Sequence, residues 1–503
     1  MVAAARRGVV KPTPADMEAQ AAQFQVQVAH SFHDARDWVS TTLPGPVGDA
    51  VNDALYLVRR LVLPTGEHVG IHSTAECVAA KDCSGKDLTG AQHHDEDLSG
   101  VDFTGADLTH ANFRNTNFSP SATAAGPLPA ASTTVTANAV NDAYANLSGA
   151  NLSGADLRDA NMTGANLTNA YIARANLTGA NLTNANGNGV DFTSANLSRA
   201  NLTGANLTNA NTDSADLRDA NMTGTNLANA RLSGANLTGA GLINANFSGA
   251  NLTNANLTGA DLTGKNFTGT TLTGANFTNA NLTSVNLTNQ YLGGTNFTNA
   301  NLTSTIFTNA GLMGANLYQA VLTGANLSGA NVSDANLTGA KLTYANLSGA
   351  TLAGADLTGK DLTGVTLRGT NLNNANLTGA DFTYVDFSGA NLTGATLTGA
   401  TLYQAYLAGV NFTNANLAGA DLTGKNFTGS NFTGANLTNA NLSSSDLTNA
   451  NLTNAKLVTI LAGVNLAGAN LTGANLAGAN RAGANFTGAT CPNGKLYGSG
   501  GDC

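Results

Sequence analysis

The densest chemistry in this sequence is the run His93, His94, Asp95, Glu96 and Asp97, with His68, His72 and His110 as further imidazoles in reach. Imidazole and carboxylate together supply either a metal site or a proton-transfer pair. These residues are contiguous, however, rather than spaced like ligands of one ion, and solvated decoration is the competing reading. Beyond His110 there is no histidine and beyond Glu96 no glutamate, so most of the chain lacks the usual proton-transfer groups. No catalytic residue, cofactor site or metal site is expected, and the chain is read as not an enzyme. Four lysines occupy near-identical contexts, Lys86, Lys265, Lys360 and Lys425, each preceded by Gly and followed by Asp or Asn. Their stems can lie along apolar surface while the ammonium reaches water or a neighbouring Asp. Tolerated variation is preferred over a ligand role.

The four cysteines form two close pairs, Cys77 with Cys83 and Cys491 with Cys503. Their placement suggests a disulfide clasp at each end of the repetitive region and an oxidising compartment. Four unpaired thiols in the cytosol is the alternative. CxxC spacing is absent.

The element that positions all of this has a period of five. From Ala145 the sequence runs Ala-Asn-Leu-Ser-Gly, Ala-Asn-Leu-Ser-Gly, Ala-Asp-Leu-Arg-Asp, Ala-Asn-Met-Thr-Gly, and large apolar residues recur at every fifth position to Leu457. Five matches neither the helical nor the strand period; it suits a chain that turns a corner every five residues. Leu147, Leu152, Leu157, Met162 and Leu167 are the core, because nothing else in the repeat can form one. The alanine two residues earlier shares the interior. Asn or Asp, then Ser or Thr, then Gly or Asn face outward and make the turn. One coil cannot bury its own apolar residues, so coils stack.

The motif Ala-(Asn/Asp)-Leu-(Thr/Ser)-(Gly/Asn) is similar to the A(D/N)LXX consensus of the pentapeptide-repeat family and covers most of the chain. The resemblance implies an all-β solenoid, a right-handed quadrilateral β-helix with four pentapeptides per coil. At roughly 4.8 Å between paired strands, about 19 coils make a rod on the order of 90 Å long.

Breaks in the beat divide the chain. Residues 1–75 read as a helical region or cap, with Phe24, Val28, Phe32 and Ala35 on one stripe and Val51, Leu55, Val58 and Val62 on another. Val51 to Arg60 resembles the N-terminal segments of some actinobacterial, especially mycobacterial, exported proteins. No secretory h-region follows Arg6 and Arg7. Residues 76–118 hold the first coils, 119–144 an inserted loop or linker rich in Pro, Ala, Ser and Thr, 145–490 the main β-helix, and 491–503 a disulfide-closed cap. A second slip lies at Leu457 to Leu461, where the spacing drops to four. Arg481 falls on an inward position, which predicts distortion or exposure there because a buried unpaired arginine is costly.

Charge bears on function. The formal net charge is −9, but between Ala145 and Asn480 there are 14 aspartates against 11 lysines and arginines. A near-neutral rod has no electrostatic case for nucleic acid, and no apolar run of about 20 residues reads as a transmembrane segment. The first expectation is a non-enzymatic structural or protein-interaction rod, extracellular or at the cell envelope, with an unidentified protein or envelope partner and the capacity to self-associate. The family resemblance implies an alternative, a cytoplasmic DNA mimic that binds DNA gyrase, but that role requires a strongly negative surface. A third reading is a periodic surface for ice or glycan built on the outward threonines.

Overall fold

The computed structural model describes residues 72–118, 145–499 and 503. The two helices expected within 1–75 and the insert at 119–144 lie outside the described residues. A helix, α1 (His72–Ala79), leads into the repeats, and the first bridged residue is Asp82.

Each pentapeptide is one bridged residue and one turn. In Leu147-Ser-Gly-Ala150 the amide of Ala150 donates to the carbonyl of Leu147 at 3.1 Å, and the third residue, Gly149, has φ of 64°. Such a turn needs a left-handed third residue, which Gly supplies freely and Asn or Asp tolerates; Asn169 (φ 54°) and Asp159 (φ 56°) fill that place in neighbouring repeats. The residue before the large apolar one then pairs in parallel with its counterpart 20 residues on, Asn146 with Asn166, Asn151 with Tyr171, Asp156 with Asn176 and Asn161 with Asn181. Four pentapeptides therefore make one coil, and four ladders of isolated bridges run along the stack. Leu147 donates to Asn166 at 2.7 Å and Gly149 to Thr168 at 2.9 Å, so strand and corner are both tied to the next coil.

The interior holds one continuous core. Leu147, Leu152, Leu157, Met162 and Leu167 are all fully buried, as are the alanines beside them. Equivalent positions stack along the axis; the rings of Phe277 and Phe297 lie 5.3 Å apart and those of Phe412 and Phe432 4.8 Å apart. Between Leu147 and Leu457 two large-residue positions depart from the beat. At Gly187 the vacated space is taken by neighbours, since an added Cβ would sit 2.9 Å from Leu207 Cδ2. At Thr212 the buried hydroxyl donates to the Arg231 carbonyl at 2.8 Å.

The insert does not divide the stack. Asp102 pairs with Asn146, Phe118 donates to Asn161, and the Ala145 amide bonds the Phe118 carbonyl at 3.1 Å as an ordinary corner would. Residues 82–118 and 145 onward are one stack, with the insert issuing from a corner. The slip near Leu457 makes one short coil: Asn441 pairs with Ile460, a separation of 19, and Asp446 with Asn465. Thr459 is buried there, its hydroxyl donating to the Ala440 carbonyl. Among the described residues no helix is long and apolar enough to cross a membrane.

Candidate interaction surfaces

The histidine cluster separates by position in the repeat. His93 takes a large inward place, is 7% exposed, and stacks on Phe113 with ring centroids 5.9 Å apart. Its Nδ1 lies 2.6 Å from Glu96 Oε2, while Nε2 is buried without a hydrogen-bond partner. His94 points outward and meets Asp95 at 3.0 Å. That contact, with Asn115, holds the Asp95 carboxyl below its usual range. Among the described residues no three His, Cys, Asp or Glu are placed to hold a metal ion.

The cysteines are joined Cys77 to Cys83 and Cys491 to Cys503, with Cα atoms 4.8 Å and 5.0 Å apart. Both bridges are buried. Arg481, on an inward place of the last coil, is exposed, and its guanidinium donates to the carbonyl of Cys503. The exposure is as expected, since a guanidinium turned into the apolar interior would lose its hydration.

Along the outer surface the polar side chains satisfy one another. Thr168 Oγ1 donates to Asn166 Oδ1 at 2.7 Å, and Asn186 Nδ2 of the next coil donates to Thr168 Oγ1 at 3.1 Å. The pattern recurs from Asn201 to Thr183 at 2.9 Å, from Asn276 to Thr258 at 3.1 Å and from Asn451 to Thr433 at 2.9 Å. Residues two apart on a strand share a face, so Asn-Leu-Thr places amide and hydroxyl side by side. The repeat spells this signal out, but its consequence shows only once the next coil is in register. The two copies of Asp-Leu-Arg-Asp also fall on one ladder, where Arg158 pairs with Asp156 and Arg218 with Asp216, each at 2.6 Å.

The small inward corner place tolerates more than alanine. Thr225 donates to the Leu202 carbonyl at 2.8 Å and Thr370 to that of Leu347 at 2.7 Å, each reaching a corner of the preceding coil. Lys265, Lys360 and Lys425 stand in the same place and are partly buried, whereas Lys86 in the first coil is exposed. Burial pushes the ammonium groups of Lys265 and Lys360 down from the usual lysine range, against the opposing pull of Asp261 and Asp356. An aspartate stands four residues before every one of these lysines, as Asp82, Asp261, Asp356 and Asp421. That pairing is legible in the sequence, and it places a carboxylate beside each cation.

Large apolar side chains break the polar surface at several places, among them Tyr171, Ile243 and Tyr291, and four tyrosines do so between 344 and 406. Tyr344, Tyr384, Tyr403 and Tyr406 are 67%, 58%, 58% and 69% exposed. The rings of Tyr384 and Tyr403 lie 6.1 Å apart, edge to face, and an added Cβ at Gly364 would lie within 2.6 Å of the Tyr344 ring atom Cε1. Tyrosine joins a large rigid apolar body to a polar tip, the composition enriched at interfaces.

Comparison with known proteins turns on the repeat itself. No curated protein shows significant similarity to the chain. Among solved structures, a trypsin-treated variant of QnrB1, a plasmid-mediated fluoroquinolone resistance protein, is 23% identical over 35% of this chain and 89% of its own, with a TM-score of 0.29. HetL, a pentapeptide repeat protein involved in heterocyst differentiation regulation in Nostoc sp. strain PCC 7120, is 23% identical over 68% of this chain and 97% of its own, with a TM-score of 0.13. A pentapeptide repeat protein of the Arabidopsis thaliana thylakoid lumen is 34% identical over 26% of this chain and 69% of its own, with a TM-score of 0.11. The family profile described as Pentapeptide repeats (8 copies) matches segments from 82–119 and 145–184 through to 461–499, on both sides of the insert. With that profile recurring over most of its length, the chain belongs to the pentapeptide-repeat family.

Proposed function

We propose that this protein is a non-enzymatic interaction rod, a right-handed quadrilateral β-helix that presents a docking strip to a protein or envelope partner outside the cytoplasm. The observation that carries the docking role is the group of exposed tyrosines from Tyr344 to Tyr406 on a surface where many of the asparagine and threonine side chains are bonded to one another. Export is supported by the two buried disulfides, with no free cysteine among the described residues. The outward threonines support a periodic ice or glycan surface poorly, because their hydroxyls already donate to asparagine within the same coil. The DNA-mimic alternative is favoured only by residues 82–118, where seven carboxylates face Lys86 and Arg114. From Ala145 onward that imbalance is gone.

The test is a photo-crosslinker placed at Tyr406 of the full chain in its native host, with fractionation and thiol mapping of the same sample. A discrete crosslinked species lost on Tyr384→Ala and Tyr403→Ala is expected, in a fraction outside the cytosol. An unchanged crosslink pattern sinks the docking strip, and cytosolic protein with four free thiols sinks the export reading. Inhibition of gyrase supercoiling at micromolar protein would revive the alternative.

A further inference from the structure

The four ladders are not continuous, and six of the seven pairs missing between 240 and 426 flank a corner lysine. Gly241 and Asp261 form no bridge, nor do Asn246 and Asn266; these two missing pairs flank the corner of Lys265. Asn336 with Asp356 and Lys341 with Asp361 are likewise unpaired, flanking Lys360. Thr401 with Asp421 and Tyr406 with Asn426 are unpaired, flanking Lys425. At the first break the amides of Leu242, Phe247, Asp261 and Asn266 all lack the inter-coil bonds that their equivalents make elsewhere.

We propose that the stack is articulated at these three corner lysines, each of which separates its own coil from the preceding one and makes a joint between stiffer segments. The direction follows from what remains paired. Asp261 bridges Asn281 and Asn266 bridges Asn286, so the stack is intact on the far side of Lys265. On the near side the facing alanines are uncovered: Ala245 is 8% and Ala340 6% exposed, against 0–1% for most such alanines, and Ala405 is only partly buried. Among the described residues no coil precedes Lys86, and the pairs on its far side, Asp82 with Asp102 and Asp87 with Asp107, are intact as they are beyond Lys265.

Length opens the ladder, and charge adds to it. Val385 and Thr225 occupy the same kind of corner, and the pairs around them are complete. Gln290, long but neutral, costs one flanking pair, Thr271 with Tyr291, while its Nε2 donates to the Phe267 carbonyl at 3.2 Å. A four-carbon stem cannot share the interior with leucine at close-packed density, and its ammonium cannot stay inside unpaired. It leaves between the coils, and the backbone pairs on either side give way.

Hydrogen exchange on the full chain tests this. Amides in peptides covering 240–249, 335–344 and 400–409 are expected to exchange at least tenfold faster than those covering 220–229, because local opening sets the rate. Lys265→Ala should slow exchange at the first joint alone to the level of 220–229. Lys265→Gln should leave it largely fast, and Lys265→Val serves if the alanine variant folds poorly. Uniform protection in the wild-type chain overturns the articulation. Fast exchange that persists in both Lys265→Ala and Lys265→Val overturns the assignment to the lysine.

Discussion

Residues 145–239 and residues 240–426 follow the same five-residue rule, yet only the first stretch pairs every coil with the next. Between 145 and 239 the inward corner place holds alanine, Val190 and Thr225, and the bridges run unbroken from Asn146 to Asn236. Between 240 and 426 the same place admits Gln290 and three lysines, and seven pairs are missing. The large inward residue is equally well buried in both stretches. Core composition thus sets whether the coil exists, and the small corner place sets how tightly one coil holds the next. In a solenoid each coil contacts only its neighbours, so such a fault stays local.

The largest expected difference is in the response to core truncation. Leu182→Ala, inside the continuous stretch, should cost about 2–5 kcal/mol by lost burial and cavity formation. Leu342→Ala should fall near the low end of that range, since its amide already lacks its partner in the next coil. Urea unfolding of both variants checks this. Equal losses would mean that the missing bridges carry no weight in stability.

Next are the clasped ends. Opening the 12-residue loop by Cys491→Ser with Cys503→Ser should remove about 2–3 kcal/mol of local stability on the loop-entropy estimate. The effect should be confined to the last coils, as nearest-neighbour coupling requires. Limited proteolysis of the oxidised, reduced and double-serine forms, followed by mass spectrometry, reads it. Cleavage within 145–239 would contradict the local picture.

Glycine at the corners gives a finer contrast. Gly179 has φ of 69°, and a Cβ there would collide with the Asp159 carboxylate of the preceding coil. At Gly399, with the same φ, a Cβ meets nothing within 4 Å. Gly399→Ala should cost about 1–2 kcal/mol for the left-handed backbone alone, and Gly179→Ala more, unless Asp159 is shortened as well. Thermal melts of Gly179→Ala with and without Asp159→Ala decide it. No recovery in the double variant would remove the steric explanation.

How much of this was legible beforehand follows from the same distinction. Leu147 to Leu167, the insert after Phe118 and the slip at Leu457 are all written in the five-residue beat, because each is a local property. The Asn–Thr network and the broken pairs at Lys265, Lys360 and Lys425 depend on which residue stands 20 positions away. Coil length therefore had to be known first. His93 shows the same limit from another side. The run from His93 to Asp97 reads as one polar cluster, but the repeat turns His93 inward against Phe113 and His94 outward to Asp95.

The smallest effect expected is one of pH, and on the alkaline side it should appear at the joints. Lys265 and Lys360 have folded-state pKa values below the ordinary lysine value, with burial as the chief cause. Between the folded and unfolded pKa values the unfolded chain binds more protons, so stability rises with pH across that window, up to about 10.5. The carboxylates beside them run the other way in cause and the same way in sign. Asp261 and Asp356 are held below their ordinary values by the hydroxyl and amide of the following threonine, Thr263 and Thr358. Their contribution is full above the unfolded pKa and is lost as pH falls through the folded one, below about 4. Exchange at 240–249, normalised to 220–229 at each pH, should therefore slow as pH rises towards about 10.5, and Lys265→Gln should abolish that trend while leaving the joint open. A pH trend retained in Lys265→Gln would show that the titrating group is not this lysine.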